Sequence, residues 1–143
     1  MNDRSKVVVG LDGSDGSTAA LAWACDYAAA VGADVTAVQV WGYPSPGHRT
    51  GISEPYDDMK LEAMQRMRDQ IEQFIAAKEP SVLIHSHVVE GPVDDVLVDE
   101  SHRADLLVVG NRGLHGVRAL GSVSERVAHK APCSVLVVRR PAP

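Results

Sequence analysis

Two cysteines, a single phenylalanine and an aromatic share of 4% leave this 143-residue chain with few of the usual staples and large anchors. Cys25 and Cys133 lie far apart, with no CxxC and no metal-type spacing, so a disulfide framework is not expected and both read as buried free thiols. Long apolar runs are also missing: no window approaches the roughly 18 residues of a membrane span. The start, MNDRSKVVVG, has no basic region leading into an apolar stretch, so the expected location is the cytoplasm. Basic charge is scarce too. With 14 Lys and Arg against 19 Asp and Glu, the formal charge of −5 argues against a general nucleic-acid or anionic-membrane surface. An anionic ligand would need a local site.

What the chain does have is alanine and valine, within a hydrophobic share of 45%. At this length one domain, residues 1–143, is the simplest reading, burying roughly 70% of the unfolded surface in a single core. Lys6–Leu11 (KVVVGL) is a valine-rich run of the kind expected for a strand covered on both faces. Ser17–Val31 places Leu21, Ala24, Cys25 and Ala28 at helical spacing, with Gly32 as its stop and Asp15 or Ser17 as its cap. Asp34–Trp41 is the second strand, followed by a Pro- and Gly-dense connection over 42–56. Asp57–Glu79 repeats Leu61, Met64, Met67, Ile71, Phe74 and Ile75 every three or four residues, a helix ending before Pro80. Its methionines 59, 64 and 67 read as core.

Val82–Glu90 is a third strand, and a helix beginning at Pro92 or Val93 turns Val96 and Leu97 inward. Asp105–Gly110 (DLLVVG), a helix over Ser122–His129, and the strand Ser134–Arg139 complete the order βαβαβαβαβ. Valine-rich strands alternating with helices predict a parallel sheet in a three-layer α/β/α sandwich, since right-handed crossovers lay each helix on a sheet face.

In such a sheet, ligands bind beyond the carboxyl ends of the strands, where the winding reverses. Two strand ends stand out: GLDGSDGS after the first strand and GNRGLHGVRALGS after the fourth. If neighbours, they form one pocket. Gly110 and Gly113 allow tight turns and close backbone approach, and Gly121 leads to a helix start whose free N–H groups suit an anion. Ser122 and Glu125 have the S-x-x-E spacing of a capping box, which would engage Ser122 with its own helix. Gly116–Ser122 is not a Walker A loop, because Ser122 stands where that motif needs lysine, and neither strand end carries G-x-G-x-x-G. Asp12 either accepts from ribose hydroxyls or helps hold a metal near phosphates, or else only turns the chain.

Taken together, VVVGLDGSDGS, VEGPVDDVLVDESHRADLLVVGNRG and GSVSERVAHKAPCSVLVVR resemble the universal stress protein family over essentially the whole chain. The resemblance implies a Rossmann-like sheet in the order 3-2-1-4-5, with ATP, or alternatively AMP or cyclic AMP, between the ends of strands one and four. Mg2+ would come only with the nucleotide. By that likeness Asp12, after Gly10 and Leu11, matches the ribose-contacting aspartate, and the backbone of Val40 matches the adenine-reading position. Gly110, Gly113, Gly121 and Ser122 match the phosphate motif, flanked by Val109 and Val123, with Arg112 inside it. This chain departs from the family pattern G-x2-G-x9-G-[S/T], because only the seven residues LHGVRAL separate Gly113 from Gly121. Losing two charge-assisted bonds at about 1.5–3 kcal/mol each would lower affinity by roughly 10²–10⁴. Arg112, His115 and Arg118 offer compensating charge, or are solvated loop residues.

His85 and His87 share a strand face, a spacing that permits metal binding but lacks further ligands, so packing or hydrogen bonding is the reading. Trp41, Tyr43, His48 and Arg49 either close over a base or belong to a surface loop. Strand five, SVLVV, would form a sheet edge in the family topology, and pairing with a second copy would protect it. Three functions stay open: a nucleotide-binding regulatory module, a slow ATPase or self-phosphorylating protein using Ser122 or Ser124, and a nucleotide-free interaction protein. The absent lysine and the lack of a base to orient water weigh against the enzyme.

Overall fold

The computed structural model describes residues 4–42, 56–111 and 122–139. Five strands, β1 (Lys6–Leu11), β2 (Asp34–Trp41), β3 (Ile84–Glu90), β4 (Leu106–Gly110) and β5 (Ser134–Val138), form one sheet in the order 3-2-1-4-5. Every pairing is parallel. Four helices connect them: α1 (Asp15–Val31), α2 (Tyr56–Lys78), α3 (Val93–Ser101) and α4 (Ser122–Lys130).

Period-two alternation sorts the strand side chains into two cores. Val7, Val9, Leu11, Val35, Ala37 and Val108 meet α1 and α2 on one face. Val8, Val38, Leu107 and Val109 meet Val96, Leu97 and Val127 of α3 and α4 on the other. The small side chains Ala20, Ala24 and Ala28 are fully buried, which lets α1 lie close on the sheet. Its C-terminus closes at Gly32, φ 73°, with Ala33 N–H donating to Ala28 O at 2.9 Å. Asp94 of α3 pairs with Arg126 of α4 at 3.6 Å on the surface.

Several local expectations need correction. The cap of α1 is Ser14, not Asp15 or Ser17: its hydroxyl accepts from Ser17 N–H at 3.1 Å, and the helix begins two residues before Ser17. α4 begins at Ser122, which is therefore its first helical residue rather than its cap. The apolar stripe of α2 is narrower than expected: Ala63, Met67, Ile71 and Phe74 are buried, whereas Leu61, Met64 and Ile75 are exposed. Only one side of α2 meets the sheet. Cys25 is buried, and that burial, with Asp26 adding a like-charge effect, pushes its thiol up to about 11. Cys133 is only partly buried. His87 pairs with Glu100 at 3.4 Å, and no cluster of three or more His, Cys, Asp or Glu among the described residues could hold a metal. No described helix is long and apolar enough to cross a membrane.

Candidate functional site

The ladder between the two middle strands stops early. β1 and β4 pair from Val7↔Leu106 to Val9↔Val108, yet β1 continues to Leu11 and β4 to Gly110. Beyond Val9 and Val108 the two backbones part, and the crevice between them lies where the chain, having laid β2 and β3 to one side of β1, crosses to β4 on the other. On one side β1 runs out through Gly10 and Leu11 to Asp12; on the other β4 runs out through Val109 to Gly110. The two glycine-rich strand ends are thus neighbours.

A similar mismatch exposes Val40. β1 and β2 pair only to Leu11↔Gln39, while β2 and β3 pair on to Trp41↔Glu90. Val40 therefore stands past the last β1 partner, with its backbone unpaired on the β1 side of β2. The strand pattern alone carried no sign of this offset, because a register difference is a property of pairs.

Asp12 is held firmly. Its Oδ1 accepts from Ser14 N–H at 2.9 Å and from the Ser14 hydroxyl, an Asx turn that also orients the cap of α1. Asp12 N–H donates to Ser17 Oγ at 3.3 Å, and Ser17 Oγ donates to Ser14 O at 3.0 Å. Gly13 follows at φ 83°, a left-handed conformation that suits glycine, and the Arg66 side chain of α2 packs over it. The two alternatives for Asp12 are therefore compatible: one oxygen turns the chain while the group stays partly exposed.

Gly110 has a structural reason that its sequence position does not show. A Cβ there would stand 2.9 Å from the carbonyl carbon and oxygen of Gly16, so the missing side chain admits the first turn of α1. At Gly10 a Cβ would meet side chains alone among its nearest neighbours, Leu97 at 3.3 Å and Val109 at 3.7 Å. Ser124 was a candidate phosphate acceptor. Instead it is 4% exposed, and its hydroxyl donates to Gly110 O at 2.7 Å, tying the N-terminal turn of α4 to the end of β4. Ser122 is exposed and Val123 packs partly against the α3–α4 core. Arg112, Gly113 and Gly121 lie outside the described residues, as do His115, Arg118 and most of the 42–56 connection.

A separate groove of about 350 Å³ runs between α1 and α2, with Gly13, Asp15, Thr18, Arg66 and Gln70 among its walls. It shares Gly13 with the Asp12 turn but includes neither lip of the β1–β4 crevice. We place the candidate site at the crevice because the helix N-terminus and the diverging strand ends converge there.

A doubly wound α/β domain with its crevice at the switch point of the sheet is the class that this geometry defines. The chain belongs to the universal stress protein family, whose profile matches residues 4–139. It is 35% identical to a universal stress protein of Methanocaldococcus jannaschii, over 95% of this chain and 82% of that one. Against a universal stress protein of Mycobacterium tuberculosis the identity is again 35%, over 95% of this chain but 46% of the relative. The chain spans about half the length of the mycobacterial relatives it matches. UspA from Lactobacillus plantarum is similar in structure, with a TM-score of 0.75 at 29% identity, covering 96% of this chain and 100% of that one. A universal stress protein solved in complex with cAMP gives a TM-score of 0.65 at 33% identity, covering 94% of this chain and 95% of that one.

Proposed function

We propose that this chain is an adenine-nucleotide-binding regulatory module of the cytoplasm, with ATP, AMP or cyclic AMP held in the β1–β4 crevice. The observation that carries the reading is the early end of the β1–β4 ladder, which opens a cleft between Asp12 and Gly110. In this reading Asp12 accepts from the ribose hydroxyls, and the Val40 backbone reads the base. The N-terminal turn of α4, anchored by Ser124, faces the phosphates with its N–H groups and dipole. Gly113, Gly121 and Arg112 complete the phosphate side, and any Mg2+ arrives with the nucleotide. Support also comes from the 33% identical relative solved with cAMP.

Isothermal titration with Mg-ATP, AMP and cyclic AMP tests this. The expected result is micromolar binding of at least one nucleotide, weakened in Asp12→Ala by about 10- to 150-fold, as loss of one charge-assisted contact predicts. Absence of heat with all three would favour the second reading, a nucleotide-free interaction protein, whose motivating feature is the seven-residue spacing LHGVRAL.

We also propose a homodimer through β5. Among the described residues that strand pairs only with β4, and Val135, Leu136, Val137 and Val138 are all half-buried, an apolar edge that a second copy would cover. Sedimentation should show a dimer at micromolar concentration, and a lysine at Val137 should shift it toward monomer. A wild-type protein that sediments as a monomer throughout that range would overturn the proposal.

A further inference from the structure

A glutamine occupies the buried stripe of α2. Gln70 lies among Met67, Ile71 and Phe74, is 8% exposed, and reaches 50 or more residues back along the chain to the turn after β1. Its Oε1 accepts from Gly13 N–H at 3.0 Å. Its Nε2 donates toward Ser17 Oγ at 2.8 Å, Thr18 Oγ1 at 2.9 Å and Ser14 O at 3.3 Å. These partners fix the amide orientation, since Gly13 N–H requires the oxygen and Ser14 O requires the nitrogen.

Each helix has anchors besides this amide. α1 already has its cap in Ser14 and its stop in Gly32, and α2 already buries Met67, Ile71 and Phe74. A leucine would satisfy packing at this place. What the amide adds is a fixed backbone on both sides of Asp12. On one side it holds Gly13 N–H directly; on the other it holds Ser17 Oγ, which accepts from Asp12 N–H. Asp12 Oδ1 is in turn bonded to Ser14, whose carbonyl Gln70 also meets. Every bond that sets the Asp12 carboxylate is thus within one step of Gln70.

We infer that Gln70 is a positioning residue for ligand recognition, holding the Asp12 carboxylate in the geometry that discriminates a ribose carrying free hydroxyls. This role rests on the nucleotide reading above. It acts before the ligand arrives: an aspartate already ordered loses less freedom on binding, and a misplacement of about 0.5 Å or more weakens a directional contact. It also explains why a polar side chain stands on an otherwise apolar stripe, where an unpartnered amide would be costly.

The test compares ATP with 2′,3′-dideoxy-ATP and with adenosine by titration calorimetry, in the wild type, Gln70→Met and Gln70→Glu. The wild type should prefer ATP over the dideoxy analogue by about tenfold. In Gln70→Met that preference should fall to within about twofold, while the preference for ATP over adenosine, which reports the phosphate side, stays unchanged. Gln70→Glu keeps an acceptor for Gly13 N–H but loses the amide's donations, so its discrimination should be intermediate; it carries the test if the methionine variant does not fold. Amide exchange at Asp12 and Gly13 should quicken in Gln70→Met with β1 and β4 still protected. Unchanged ribose discrimination in both variants, or an equal loss for all three ligands, would overturn the positioning role alone. A wild type that binds none of them sinks the nucleotide reading itself, and this role with it.

Discussion

Gly110→Ala should lower the unfolding free energy by about 2–3 kcal/mol, a large cost for one methyl group in a domain stabilised by roughly 5–15 kcal/mol. The added carbon would lie 2.9 Å from both the carbonyl carbon and the oxygen of Gly16, and 3.4 Å from Ser17 N. All three are backbone atoms in the first turn of α1, so no side chain can swing aside. Either that turn lifts from the sheet or the end of β4 bends. Lifting the turn disturbs Ser14 and Ser17, which hold Asp12, and bending β4 disturbs the carbonyl that Ser124 grips. The nucleotide affinity proposed above should therefore fall together with stability. Gly10→Ala is the control: its neighbour is the Leu97 side chain at 3.3 Å, which can rotate, so its cost should stay below about 1 kcal/mol. Urea denaturation of both variants decides the matter. Equal stability of Gly110→Ala and the wild type would mean that α1 does not approach β4 this closely.

The same residue shows what the sequence could and could not reveal. A glycine ending a buried strand was a legible signal that something approaches the backbone there, but not whether ligand or helix does so. The five strands were legible because valine-rich runs of five to eight residues leave little else to form. Their order, 3-2-1-4-5, was not legible from periodicity and came from family likeness, since any strand could neighbour any other until crossovers are seen. Asp12 was visible as the polar residue at a strand end. Its cap partner was ambiguous because DGSDGS offers four short polar side chains within six residues; the one that caps is Ser14, with the extended backbone, φ −81° and ψ 160°, of a cap.

Gln70, and the bond by which Ser124 anchors α4, were missed for a shared reason: each works through a contact distant in sequence. Ser124 bonds a carbonyl 14 residues away and Gln70 bonds groups more than 50 residues away. A signal existed for Gln70, however. Ala63, Met67, Gln70 and Phe74 follow one another at spacings of four, three and four, so a polar residue was standing on the helix face that the sheet would bury. A polar residue at such a position must find partners, and the polar turn after β1 is the nearest supply.

That argument about the face of α2 yields a sharp expected contrast between two methionines of one helix. Met67→Ala should cost about 2–4 kcal/mol and lower the melting temperature by about 6–12 °C, while Met64→Ala should cost less than about 1 kcal/mol. Their sequence environments are alike, and three residues in a helix bring them within roughly 60° of each other. Burial separates them: Met67 is 2% exposed against 41% for Met64. The buried set Ala63, Met67, Gln70, Ile71 and Phe74 spans about 100° of the helix, the width of a surface helix's apolar stripe, and Met64 falls just outside it. Removing Met67 leaves a cavity beneath α2 that its neighbours only partly refill, whereas at Met64 water takes the vacated space. Thermal melts of the two variants at one pH and protein concentration measure the difference. Equal costs would mean that α2 is rotated by a fraction of a turn. Gln70 would then turn away from Gly13, and the hold on Asp12 would go with it.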